Sequence, residues 1–133
     1  IQAKRQGNSW EAYFDNGREH SRLDVIDWAK KGQVLGAGEI LLTSVDREGT
    51  GKGFDLELVR AVTNQVDIPV IASGGMGSLE DLRTVVEVGR ADAVAMAHVL
   101  HYGLCAISEA RAHCIDSGIP VRTVQLAASG EIL

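Results

Sequence analysis

The sequence predicts an α/β fold built on a parallel sheet, and three observations carry that prediction. Extended apolar runs alternate with helical patterns along the chain. The runs begin near Glu39, Ile68, Asp92 and Pro120, roughly 24 to 30 residues apart, the length of a βα unit. The segments after the runs are polar and rich in glycine, whereas those before them, such as "LGAGE" and "VDIP", are short. Alternation of this kind requires crossover helices. The asymmetry of the connections places function at the C-terminal ends of the strands.

Taken in order, Ile1 to Arg5 reads as the tail of a strand. Trp10 to Phe14 alternates as a strand does, and Asp15-Asn16-Gly17 then supplies hairpin-turn chemistry. Leu23, Ile26, Ala29 and Val34 keep a helical rhythm over Leu23 to Leu35, and Gly36 and Gly38 stop it. "EILLT", Glu39 to Thr43, is a short apolar run suited to a strand buried on both faces. After the loop "SVDREGTGKG", Phe54 to Val66 reads as a helix with Asp55 as its N-cap. "IPVIAS" is the next buried strand. Ser78 caps a helix running to about Val88, with Asp81 in its first turn. "ADAVAMA" forms a further strand. Ile107 to Ser117 is a helix ended by Gly118, and "IPVRTV" returns as a last extended piece. The tail, residues 125–133, has no assigned role.

The 133 residues suit one modest core, with 45% hydrophobic and 23% charged residues. A net charge of -5, with Lys and Arg scattered, argues against nucleic acid as a partner. No apolar stretch approaches the ~20 residues of a membrane span. The chain begins at Ile1 without methionine and in mid-pattern, so it reads as a fragment or a processed chain, and no signal-peptide pattern is visible. Cys105 and Cys114 lie nine residues apart in one helical pattern, too far for a disulfide. Both read as reduced and the protein as cytoplasmic.

Three groups of residues are suited to chemistry. "IASGGMG", Ile71 to Gly77, ends a buried strand at Ser73 and drops its side chains at Gly74, Gly75 and Gly77 before a helix begins. Bare amides ahead of a helix N-terminus suit an anion such as phosphate. A tight strand-to-helix turn would use the same glycines. "LTSVDREGTGKGFD" places Thr43 at a strand end, followed by Asp46, Glu48 and Gly49. Two carboxylates two residues apart on an extended exit point the same way into a cleft and suit proton transfer. The alternative is a solvated loop. His98, His101 and Cys105 make an H-x2-H-x3-C pattern without a fourth ligand, so a phosphate contact from His98 is favoured over a metal.

"GAGEILLTSVDREGT", "GFDLELV" and "IPVIASGGMG" together resemble the C-terminal half of the cyclase subunits of imidazole glycerol phosphate synthases, from histidine biosynthesis, over Ile1 to about Val124. The SGG turn is shared with other phosphate-binding barrels, but the "AGEILLTS-x-D" run is not. The resemblance implies a (βα)4 half of a TIM (βα)8 barrel, with parallel strands, over residues 1–124. It implies a cyclase, a lyase without cofactor. That enzyme uses ammonia from a glutaminase partner to turn a bis-phosphorylated ribulosyl-formimino carboxamide ribotide into imidazole glycerol phosphate. The phosphate site of this half falls on Gly49, Gly74, Gly75, Ala97 and His98, and the catalytic positions on Gln2, Thr43, Asp46, Glu48 and Ser73. Three positions depart from the family. Gln2 stands in "IQAKR" where the family has a catalytic aspartate, Glu48 replaces a common aspartate, and His98 a common serine. An amide cannot serve as acid or base near neutral pH. The alternative is therefore a non-catalytic phosphate-binding half barrel with a vestigial active site. Four parallel strands cannot close a barrel and leave two open edges. The chain is expected to complete itself as a homodimer or with an N-terminal half barrel.

Overall fold

A computed structural model describes residues 1–122. Its centre is one six-stranded sheet, with strands β1 (Gln2–Gln6), β2 (Ser9–Phe14), β3 (Glu19–Asp24), β4 (Ile40–Ser44), β5 (Val70–Ser73) and β6 (Ala93–Ala95) in the order β3-β2-β1-β4-β5-β6. β1, β4, β5 and β6 run parallel, and β1-β2-β3 form an antiparallel meander at one edge. Helices α1 (Val25–Val34), α2 (Leu56–Thr63) and α3 (Leu79–Glu87) link the strands. A one-turn α4 (His98–His101) and α5 (Ile107–Asp116) follow β6.

The period of two along the strands sorts the side chains between two faces. Ala3, Ala12, Ile40, Leu42, Val70 and Ala72 are buried, in one core with Val25, Ala29, Leu58, Val62, Leu82 and Val85 of the helices. The opposite face is open: Leu41 is 50% exposed and Ala93 is exposed. β4 is therefore buried on one face only, not on both as the apolar run suggests. Its partner rows are Leu41-Ile71-Ala93 and Thr43-Ser73-Ala95, the latter continued by Gln2 on β1.

Several expectations are corrected. β3 occupies Glu19–Asp24, so Leu23 belongs to a strand, and the helix begins at Val25. Asp24 sets that start by accepting the amides of Ile26 at 2.8 Å and Asp27 at 3.2 Å, which fixes it as the N-cap. The fourth parallel strand is β1, not a piece starting at Pro120. Pro120 to Arg122 are irregular, and the rest of "IPVRTV" and the tail lie outside the described residues. Cys105 sits in the turn before α5, and only Cys114 is helical; both thiols are free. Asp55 caps α2 through the Leu58 amide at 3.0 Å, and Asp81 reaches back to the amides of Gly77 and Ser78 at 2.9 and 2.8 Å. Among the described residues, no helix is long and apolar enough to cross a membrane.

Candidate ligand cleft at the strand ends

The loop after β4 folds on itself before it reaches α2. The amides of Arg47 and Glu48 both donate to the Ser44 carbonyl, at 3.2 and 3.0 Å, and the Thr50 hydroxyl donates to the Arg47 carbonyl at 2.7 Å. This tight turn cannot act as an extended exit, and the two acids diverge. Asp46 Oδ2 accepts the Arg5 amide at 2.8 Å and faces the turn end of the β1-β2 hairpin. Glu48 lines the cleft, with its backbone N and Cα against the turn after β5. The expectation of a carboxylate pair in one cleft is thereby corrected: the two side chains of an i, i+2 pair share a side only in extended backbone.

Against this loop lies the turn Gly74–Gly77. Gly74 and Gly75 have φ of 88° and 107°, a region that favours glycine. The turn is also too close to its neighbour for side chains. A Cβ on Gly74 would lie 2.8 Å from the Ser44 carbonyl oxygen. One on Gly75 would lie 2.9 Å from Arg47 Cβ, and one on Gly77 would overlap the Gly51 backbone. The turn's own packing thus accounts for the bare backbone of "SGGMG". Gly49, by contrast, has open space where its Cβ would be.

Between the loops lies a cleft of about 150 Å³ lined by Glu48, Gly49, Ser73, Gly74, Gly75, Met76, Ala95, Met96, Ala97 and His98. All five positions expected to hold phosphate are in it, with Ser73 and Glu48. Among the described residues, the amides of Gly49, Gly75 and Ala97 donate to no backbone carbonyl, which leaves them free for a ligand. His98 stacks at a tilt on Tyr102, ring centroids 4.7 Å apart. Thr43 and Gln2 lie outside this cleft, on the open face. They continue its floor in the cross-strand row Gln2-Thr43-Ser73-Ala95. Two strand spacings put Gln2 about 10 Å from Ser73. The Gln2 side-chain oxygen is buried and has no hydrogen-bond partner. Among the described residues, no three His, Cys, Asp or Glu side chains gather as metal ligands.

Met76 and Met96 were not anticipated as lining residues. Met96 directly follows β6, and the alternation of "ADAVAMA" carried no sign of which methionine faces a ligand. Also missed was a polar chain on the hairpin. The Gln6 amide donates to the Tyr13 hydroxyl at 3.1 Å, Tyr13 meets His20 Nε2 at 3.2 Å, and His20 Nδ1 meets Glu11 at 3.1 Å. It depends on a break in register between Ala12 and Tyr13, which no pattern in the sequence announces.

A run of parallel βα units, with one sheet face packed by helices and the other open, and with a cleft at the C-terminal strand ends, defines part of a (βα)8 barrel. Comparison with known proteins is more specific. A profile of the histidine biosynthesis protein family matches residues 1–106, and the chain belongs to that family. Three curated relatives from Dehalococcoides mccartyi each carry the name imidazole glycerol phosphate synthase subunit HisF. Those of strains BAV1 and CBDB1 are 50% identical to the chain over 122 residues, and that of strain 195 is 48% identical. Each match covers 92% of this chain and 48% of the relative, so the chain spans about half the length of the curated relatives it matches.

Proposed function

We propose that residues 1–124 form a half barrel supplying one phosphate site of an imidazole glycerol phosphate synthase cyclase. The observation that carries this reading is the convergence of Gly49, Gly74, Gly75, Ala97 and His98 on one cleft with free amides. Amides aimed into a concave turn suit an anion without any basic side chain. Thr43 and Ser73, on the row that leads from the cleft to Gln2, would hold the body of a phosphorylated substrate. The full reaction needs more than this half: a second phosphate site, a closed barrel, and ammonia from a glutaminase subunit. A homodimer through the open face, or an N-terminal half barrel, would provide the closure, in the cytoplasm and without nucleic acid, membrane, metal or cofactor.

The position of Gln2 favours a second reading, a phosphate-binding half barrel without turnover. An amide stands on the floor row where the resemblance calls for an aspartate, and its oxygen finds no partner. Titration of the chain with glycerol phosphate, followed by amide NMR, tests the phosphate site; shifts confined to Gly49, Gly75, Ala97 and His98 are expected. Ammonia-dependent turnover of the chain completed by an N-terminal half then separates the readings. The cyclase reading expects activity that rises with Gln2→Asp. The binding reading expects none from the native chain.

A further inference from the structure

The cleft contains a contradiction. Its walls offer amides suited to an anion, yet among the described residues Glu48 stands there and neither Lys nor Arg does. The other acids around the strand ends are engaged. Asp46 holds the Arg5 amide, Asp55 the Leu58 amide and the Trp10 indole, Asp81 the amides of Gly77 and Ser78, and Glu57 the Arg5 guanidinium. Among the described residues, no group donates to the Glu48 carboxylate. Its backbone is pressed on the glycine turn, with N and Cα each 3.4 Å from where a Gly74 Cβ would be. The carboxylate is therefore within one side-chain length of any anion that uses the turn's amides.

The charged groups nearby do not neutralise it. Arg47 sends its guanidinium to the Lys52 carbonyl at 3.4 Å, and Asp46 is turned away. The turn after β5 carries no titratable side chain between Ser73 and Gly77. Asp81, behind that turn, adds negative charge near Gly53. Among the described residues, His98 on α4 is the other ionisable side chain lining the cleft.

A free carboxylate beside an anion is tolerated when the anion brings a proton to share. We infer that Glu48 reads the protonation state of the ligand: it accepts a hydrogen bond from the hydroxyl of a singly protonated phosphate monoester. The cleft then selects this ion over the phosphate dianion and over sulfate esters, which carry no proton to donate. The inference rests on the phosphate reading of the cleft and adds its ligand selectivity. A phosphate monoester loses its second proton near pH 6, so the selected ion, the singly protonated one, disappears as pH rises. A positive charge on His98, by contrast, would attract every anion alike.

Methyl phosphate and methyl sulfate separate the two effects, because only the first titrates between about pH 5.5 and about pH 8. The expected result, by titration of the whole chain, is methyl phosphate binding that strengthens about tenfold or more from the higher to the lower pH. Methyl sulfate should bind weakly and change little, because it has no proton to gain in this range. In Glu48→Gln the phosphate slope should fall to the sulfate slope, and sulfate should gain. Glu48 is exposed and without a partner, so the variant is expected to fold. The inference is overturned if Glu48→Gln keeps both the native pH slope and the native phosphate-to-sulfate ratio. It is also overturned if the native chain binds the dianion as tightly as the protonated ester. If neither ligand binds native chain or variant at either pH, the phosphate reading itself fails, an outcome distinct from the first two.

Discussion

Gly53 donates its main-chain N–H to the carbonyl oxygen of Gly75 at 2.7 Å, so the loop after β4 and the turn after β5 meet backbone to backbone. Contact this close leaves no room for a methyl group at Gly75 or Gly77. Gly77→Ala should therefore cost about 1–3 kcal/mol through overpacking. Gly75→Ala should cost at least as much, because its φ of 107° adds backbone strain. Gly38, with open space around it and no left-handed φ, is the control; Gly38→Ala should be neutral or slightly stabilising. Urea unfolding of the three variants measures the contrast. A Gly77→Ala variant as stable as Gly38→Ala would mean that the loops are not in contact.

How much of this was legible in the sequence differs from element to element. The βα order, the caps at Asp55 and Ser78 and the helix end at Gly118 could be read because each depends on local spacing. β3 could not. "EHSRLD" has almost no apolar alternation, and it becomes a strand by pairing with β2 at a sheet edge where both faces meet water. Leu41 reads as core by composition but is half exposed, because burial depends on what covers the second face. The residues of the cleft were found through motif resemblance. The divergence of Asp46 from Glu48 was not visible, since it follows from the turn held by the Ser44 carbonyl.

Asp55 joins the hairpin to α2. Its Oδ1 accepts the Leu58 amide, and its Oδ2 accepts the Trp10 indole at 3.2 Å. Trp10 in turn lies under the Arg5 guanidinium, 4.8 Å from the ring centre. Asp55→Ala removes an N-cap and strands a largely buried indole N–H, so a loss of about 1–3 kcal/mol is expected. Asp55→Asn keeps an oxygen for one of the two bonds and should lose less. Urea midpoints, with Trp10 fluorescence as the local probe, check the order of the two variants.

Glu11 should make stability depend on pH. It accepts the Arg22 amide at 2.7 Å and lies against His20, and these contacts hold its carboxyl below the ordinary glutamate value. A carboxyl depressed in the folded state stabilises the fold above the unfolded value, about pH 4.3, and the contribution disappears as pH falls through the folded value. Glu11→Gln can keep an acceptor for Arg22 but has no charge. Its melting temperature should lie below that of the native chain at neutral pH. The two should converge as pH drops below about 4. A gap that persists unchanged at low pH would assign the stabilisation to packing instead.

Leu41 offers the sharpest test of the proposed closure. It is half exposed, in a row with Ile71 and the exposed Ala93, on the face left bare by the helices. An apolar row at the centre of a sheet is costly to leave in water at about 25 cal/mol per Å². A homodimer through this face would bury Leu41, since a twofold interface brings the same patch of both copies together. The native chain should then sediment at about twice its 14.2 kDa mass. Leu41→Glu should sediment as a monomer and change the unfolding free energy of the isolated chain by less than about 0.5 kcal/mol, as expected at an exposed site. Two outcomes argue against closure by a second copy. A native monomer would leave the face for an N-terminal half barrel. A dimer indifferent to Leu41→Glu would place the contact elsewhere, since a carboxylate buried without a partner in that interface would be strongly destabilising.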